Sequence, residues 1–346
     1  MSVNIFEVQD EAQCAGWDDY VLRHPQATGY HLVGWRRVIE EAFGHRTVYL
    51  MATDRHHAVT GVLPLAMICS QLFGRFLVSL PFVNYGGVLA DTNEARTELT
   101  TAAVRVAERA NLEHVELRHR EQTDIPWTCK QHKVSMVLEL TNGFDTLWQG
   151  FPSKLRSQIR RARKEGMTAQ VGGPEMLAAF YGVFSRCMRD LGTPVYGRAF
   201  FDAVFRWFPK DVRICTVDFS GVTVAAGIMY SFRNRVEIPW AASDRRFNRM
   251  APNMLLYSSM LESACREGFA SFDFGRSTPD TGTYRFKEQW GARPVALHWY
   301  YWLDANRPLP DLSPRNPKHQ LAIAIWRRLP LAVSNTLGPS IVKYIP

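Results

Sequence analysis

The chain has 346 residues, more than one ordinary hydrophobic core supports, so two domains are expected. A hydrophobic content of 46% with 21% charged residues excludes wholesale disorder, and no apolar run approaches the roughly 20 residues of a membrane-spanning helix. The net charge of +8 favours an anionic partner such as nucleic acid, a nucleotide-linked precursor, coenzyme A or an anionic membrane face.

The amino terminus carries Glu7, Asp10 and Glu11 and no apolar run, which does not read as a signal peptide, so a cytoplasmic protein is expected. Val3 to Val8 reads as a strand, Glu11 to Arg23 and Leu32 to Phe43 as helices, and Thr47 to Ala52 and Val59 to Cys69 as β-rich runs. The stretch Ser79-Leu-Pro-Phe-Val-Asn-Tyr-Gly-Gly87 predicts a shaped loop, because paired glycines permit positive φ and close backbone approach. A long helix over Asn93 to Ala110 and strands at His114 to Leu117 and Val134 to Leu140 complete a first domain, residues 1–143.

From Phe144 the order begins again, giving a second domain over residues 144–304. A basic helix (Ser153 to Glu165) precedes a strand (Thr168 to Val171) and helices over Pro174 to Leu191 and Arg198 to Trp207. Val212 to Phe219 and Val222 to Phe232 form a hairpin about Ser220-Gly221, and Val236 to Ala242 is a third strand. Asn253 to Glu267 reads as a helix capped by Asn253 and closed by Gly268; Phe269 to Phe274 and Val295 to Leu303 read as strands. Helix pairs feeding an antiparallel meander make a mixed α/β (α+β) fold, unlike the strict βαβ repetition of a Rossmann domain, and the recurrence of the order suggests duplicated domains. Each domain is then a mixed, largely antiparallel sheet flanked by helices.

Residues 305–346 form a Pro-rich extension (Pro308, Pro310, Pro314, Pro317), expected to run over the surface and end in a basic, apolar tail around Trp326-Arg-Arg-Leu-Pro330. That tail either touches a membrane surface as an interfacial element or docks on the domain as a helix.

Several chemistries drop out on spacing. The six cysteines form no CxxC pair and no zinc-like Cys/His cluster, so buried, reduced thiols and no metal are expected. Ser70, Ser79 and Ser277 lie in no Gly-x-Ser-x-Gly elbow, and His56-His57 and His114…His119 lack the H-E-x-x-H spacing. His31 and Trp35 lie one turn apart on a predicted helix and either line a groove or pack an amphipathic face.

Two segments carry more promise. On the basic helix, Leu155, Ile159 and Ala162 share a buried stripe, which sets Arg156, Arg160 and Arg163 together on another face. Arginine's planar fork suits phosphate, and so many like charges repel unless an anion or a solvated surface relieves them. The second segment is Phe272-Asp-Phe-Gly-Arg-Ser-Thr278 with Gly282-Thr-Tyr-Arg-Phe-Lys-Glu-Gln-Trp-Gly-Ala292, a strand end opening into a loop and a short helix. Arg276, Ser277, Tyr284 and Trp290 are candidate substrate contacts there. Lys287, among aromatics, either holds its charge in a low-dielectric pocket and stabilises a developing oxyanion, or is a surface lysine paired with Glu288 or Asp280.

With the hairpin Gly221-Val-Thr-Val-Ala-Ala-Gly227, the run Asn253-Met-Leu-Leu-Tyr257, Phe286-Lys287 and Trp290-Gly291, these segments resemble the FemAB family. The stretch Leu72-Phe-Gly-Arg-Phe-Leu-Val-Ser-Leu-Pro-Phe-Val-Asn-Tyr-Gly-Gly87 is similar to that family's branch associated with exosortase/PEP-CTERM and exopolysaccharide systems. The resemblance implies two GNAT-like domains with a groove between or beside them, no tightly bound cofactor, and transfer of an amino acid from aminoacyl-tRNA, or an acyl group from a thioester such as acyl-CoA, onto an amine of an envelope precursor. It also implies that Lys287 stabilises the oxyanion, that the Phe286 carbonyl holds the attacking amine, and that Arg156 and Arg160 contact phosphate. One departure stands out. Where coenzyme-A-binding GNAT domains carry a glycine-rich pyrophosphate turn, this chain has Asp244-Arg-Arg-Phe-Asn-Arg-Met-Ala-Pro-Asn253 without glycine, leaving Arg245, Arg246, Arg249 and Asn253 as candidate donor contacts.

Overall fold

Two β-sheets, of eight and seven strands, organise the described residues. The structure is a computed structural model describing residues 3–304, 307–309 and 317–345. Pro310 and Pro314 of the extension lie outside the described residues.

The first unit opens with β1 (Asn4–Glu7), α1 (Glu11–Arg23), a 3-10 turn (Gly29–His31) and α2 (Gly34–Phe43). It continues through β2 (Thr47–Thr53), β3 (Val59–Ser70), β4 (Gly74–Val78), β5 (Leu89–Ala90), α3 (Asn93–Arg109), β6 (His114–His119) and β7 (Thr128–Lys130). Caps fix its helices: Asp10 accepts from the Gln13 N–H at 2.9 Å, and Thr92 accepts from the Ala95 N–H at 3.1 Å. Ala95, Leu99, Ala103 and Ala107 recur along one face of α3, so small side chains bring that helix close onto the sheet.

The second unit starts with β8 (Val134–Glu139), α4 (Gly143–Gly150), α5 (Ser153–Lys164), β9 (Thr168–Gly172), a 3-10 turn (Pro174–Met176), α6 (Leu177–Leu191) and α7 (Arg198–Trp207). The meander β10 (Val212–Phe219), β11 (Val222–Phe232) and β12 (Arg235–Ser243) follows, then a 3-10 turn (Arg245–Met250), α8 (Pro252–Arg266), β13 (Ser271–Ser277), α9 (Gly282–Glu288) and β14 (Arg293–Ala296). β15 is His298–Leu303, and α10 (Pro317–Trp326) and α11 (Leu331–Val342) close the chain. Ser220 and Gly221 both take positive φ, the geometry of a two-residue hairpin turn. Phe180, Phe201 and Trp240 meet edge to face in the core, with ring centroids 5.1 to 5.4 Å apart.

Two strands cross the expected boundary at residue 143. β8 pairs with β13 inside the seven-stranded sheet, ordered β14-β8-β13-β12-β11-β10-β9. β15 pairs with β6 and β7 in the other sheet, ordered β1-β2-β3-β4-β6-β15-β7 with β5 on β3. The compact units accordingly divide after His132 and again after Val295, and α10 and most of α11 belong with the second. Sheet membership is a long-range property, and sequence adjacency does not encode it.

Three further expectations change. The segment over residues 295–303 is two strands, not one. His31 ends a 3-10 turn and Trp35 lies on α2, both buried, so they do not share a helix face. Asn253 is not the cap of α8, because Pro252 already begins the helix and Ala251 caps it at φ 60°. The tail docks as helices: Arg189 donates to the Leu329 carbonyl at 3.0 Å, Arg327 to the Leu191 carbonyl at 3.3 Å, and Asn335 to Ser185 at 3.4 Å.

Candidate active site

The parallel pair β12–β13 is joined only at Arg235↔Ser271, Val236↔Phe272 and Glu237↔Asp273, although both strands run on. Beyond that point β12 stays with β11 and β13 with β8, so two neighbouring strands part within one sheet and leave a wedge. In the first unit the corresponding parallel pair, β4–β6, is followed by residues 79–87, all buried. Their Gly86 and Gly87 N–H groups donate to the Arg118 carbonyl at 3.2 and 2.9 Å, and Arg118 returns a bond to the Val83 carbonyl at 3.1 Å. A Cβ at Gly87 would stand 2.4 Å from the His119 ring, which is the close approach that requires glycine there. One unit fills its own opening, whereas the other keeps a wedge.

On β13 the register with β8 shifts between Asp273 and Arg276, and Gly275 at φ 76° carries the bulge. Lys287, on α9, spans this bulge: its Nζ donates to the Gly275 carbonyl at 2.9 Å and the Arg276 carbonyl at 3.0 Å. The residue is 8% exposed, so the ammonium is buried and does not pair with Glu288 or Asp280. Burial pushes its pKa down to about 8, a fall that Arg276 reinforces and that the carboxylates of Asp273 and Glu237 oppose. Two of its three N–H bonds are used within the described residues, which leaves one for a ligand.

Asp273 is fully buried and accepts from Ser135 Oγ at 2.5 Å and from the Gly275 N–H at 2.8 Å, so it ties the bulge to β8. Glu237 and Ser135 were missed as site residues in the sequence. For Glu237 a signal existed, namely a lone acid between apolar neighbours in Arg235-Val-Glu-Ile-Pro-Trp240. Lys133 donates to Thr278 Oγ1 at 2.6 Å and ties β8 to the loop that leads into α9.

The other expected residues divide. Arg276 is half-buried on the bulge, while Ser277 is buried with an Oγ that has no partner among the described residues. The Phe286 carbonyl accepts from Gln289 Nε2 at 3.0 Å, and its ring packs 5.1 Å from Tyr257. Tyr284, on α9, packs against the core. Trp290 is a core residue rather than a substrate contact: it is 1% exposed and lies edge to face with Phe151 at 5.4 Å.

α5 buries Leu155, Ile159 and Ala162 as expected, but its three arginines do not present one free face. Arg163 pairs with Glu262 at 3.6 Å, and Arg160 stacks over Trp148 at 5.5 Å. Arg156 is half-buried, and its Nε has no hydrogen-bond partner among the described residues. Across the turn that follows β12, Arg245 is paired with Asp190 at 3.0 Å and Arg246 with Asp244 at 2.6 Å. Arg249 is exposed, and Asn253 is half-buried in the first turn of α8. Ala251 holds the left-handed conformation at φ 60°, so the turn keeps a glycine-like shape without the glycine.

Among the described residues no cluster of His, Cys, Asp and Glu could hold a metal ion. The cysteines are free, but Cys69 and Cys129 are exposed, which corrects the expectation of uniformly buried thiols.

With the wedge, the bulge and Lys287 in view, comparison with known proteins defines the class. Residues 152–288 match the family model for an acetyltransferase (GNAT) domain. The fold is a tandem of GNAT-like domains, each a mixed sheet flanked by helices. It is similar to FemX (14% identity, TM-score 0.65, 86% of this chain and 97% of that one). It is also similar to a tandem GNAT protein from the clavulanic acid biosynthesis pathway (13%, 0.57, 89% and 100%). L-PGS from Bacillus licheniformis gives 13%, 0.56, 92% and 98%. No curated protein matches the chain. Among the described residues no helix is long and apolar enough to cross a membrane.

Proposed function

We propose that the protein is an acyltransferase of the FemAB type, moving an aminoacyl or acyl group onto an amine of a cell-envelope or exopolysaccharide precursor. The observation that carries this reading is the buried ammonium of Lys287 held over two bulge carbonyls beside the strand wedge. The GNAT match over residues 152–288 and the likeness to FemX support it. With the PEP-CTERM-associated branch goes a place of action in the cytoplasm, at the inner face of the membrane.

In this mechanism the acceptor amine attacks the ester or thioester carbonyl carbon, and the carbonyl oxygen gains the negative charge. The free N–H of Lys287 stabilises that oxyanion in a site where low dielectric strengthens the bond. Collapse breaks the bond to the tRNA 3′ oxygen or the thiol sulfur, and the proton lost by the amine ends on that leaving group. Positioning and oxyanion stabilisation suffice, with no covalent enzyme intermediate. Arg156 and Arg249, both outside the ion pairs described, are the cations offered to donor phosphates.

A second reading, acyl transfer from acyl-CoA, is favoured by the left-handed turn at Ala251 and by the acetyltransferase description of the family model. A transfer assay with an amino-sugar or peptide amine decides between them, run with aminoacyl-tRNA and with acyl-CoA as donors. Product from aminoacyl-tRNA alone supports the first reading, and product from acyl-CoA alone the second. No product from either, with donors shown to be intact, removes the enzyme reading and leaves a GNAT-fold scaffold.

A further inference from the structure

Both C-terminal helices leave apolar side chains exposed. In α10 the run Leu321-Ala-Ile-Ala-Ile-Trp326 is uninterrupted by a polar residue, yet only Ile323 and Trp326 are even half-buried. Leu321 and Ile325, one turn apart, are 70% and 55% exposed. On α11 Val333 and Leu337 repeat the spacing at 39% and 47% exposure, and Leu191, whose carbonyl receives Arg327, is 57% exposed. A docked helix normally turns a polar face outward; apolar side chains left on that face suit an apolar environment. The docked side is already defined by the Arg189, Arg327 and Asn335 hydrogen bonds to and from α6 and its end.

Charge supplies the identity of the covering phase. Residues 312–346 contain Arg315, Lys318, Arg327, Arg328 and Lys343 and no acid. Arg327 and Arg328, both exposed, lie in the link between the two helices, and Arg327 reaches the carbonyl of the exposed Leu191. Acid-free cationic residues next to exposed leucine and isoleucine match the headgroup and acyl layers of an anionic leaflet; a protein partner would call for mixed charge.

We propose that the exposed face of α10 and α11 docks on an anionic lipid bilayer, lying in its interface without crossing it. This gives the membrane contact in the functional reading a surface, but it does not depend on acyl transfer.

Full-length protein is floated with vesicles of phosphatidylcholine alone and with vesicles enriched in phosphatidylglycerol, at low and high salt. Binding to the anionic vesicles at low salt is expected, weakened by salt and by omission of phosphatidylglycerol. The double substitution Leu321→Glu with Ile325→Glu is expected to lower partitioning at least about tenfold, and Arg328→Glu about fivefold. These side chains are exposed, so thermal unfolding should be unchanged; Arg328→Glu tests the surface even if the double variant misfolds. No flotation with anionic vesicles overturns the proposal, as does equal flotation of all three proteins. A dimer that the double substitution dissociates, without flotation, reassigns the face to a second copy of the chain. Transfer activity is not read, so either proposal can fail alone.

Discussion

The ammonium nitrogen of Lys287 lies 2.9 Å from the carbonyl oxygen of Gly275, across the bulge that parts β13 from regular pairing. That bond and its companion to Arg276 aim a buried charge without a carboxylate in direct contact. Lys287→Met removes the charge and keeps the volume. Turnover is expected to fall on the order of 10²-fold or more, as for other oxyanion donors, with KM little changed. Steady-state kinetics check this, and unchanged turnover would take Lys287 out of the mechanism.

The pH dependence follows from the same burial. The charged ammonium stabilises an oxyanion far better than the neutral amine, and its pKa is about 8, so the rate should decline as pH rises through that value. Stability runs the other way. The folded pKa lies below the ordinary 10.5, so the unfolded chain binds the proton more tightly. The buried charge therefore costs on the order of 3 kcal/mol at neutral pH, a cost that fades between pH 8 and 10.5. Denaturant melts of parent and Lys287→Met should show the parent gaining on the variant across that window.

Gly275→Ala tests the bulge. At φ 76° a Cβ is strained, so a loss of roughly 1 kcal/mol or more is expected, and displaced carbonyls should lower kcat as well. A variant that melts like the parent with full activity would show the bulge to be dispensable.

Ala251→Gly makes the opposite change. Relief of the left-handed alanine should stabilise the chain by roughly 1 kcal/mol, seen in thermal melts. If acyl-CoA is the donor, its KM should drop as well, because backbone amides can then approach a pyrophosphate closely.

Arg156→Ala is expected to raise the KM for the donor with kcat nearly unchanged, whereas Arg245→Ala, whose side chain is exposed and engaged by the Asp190 carboxylate it shares with Arg189, should leave KM within about twofold. Equal effects at both positions would mean a diffuse electrostatic contribution rather than a contact.

Most of the local structure was legible in the sequence. The bounds of α1, α7, β10 and β11 follow from periodicity and turn residues, and Gly268 closes α8 at φ 80° as its position after the last helical residue implies. The stripe on α5 was legible because 3.6-residue spacing is local. What the sequence concealed was pairing at a distance. Nothing in Arg245 or Arg246 announces Asp190 and Asp244 as their partners, and nothing in Trp290 distinguishes a packed indole from a stacking one. The choice between a buried and a surface Lys287 was equally hidden, since it depends on a bulge in β13 where it pairs with β8, a strand distant in sequence.

The exchange of β8 and β15 has a consequence for how the chain can be divided. Each is an interior strand of its sheet, between β14 and β13 and between β6 and β7. A gene cut after residue 143 would yield two fragments, each with a gap where its missing strand belongs and two exposed strand edges ready to aggregate. Co-expression should rescue what separate expression cannot, and neither half should prove an autonomous folding module.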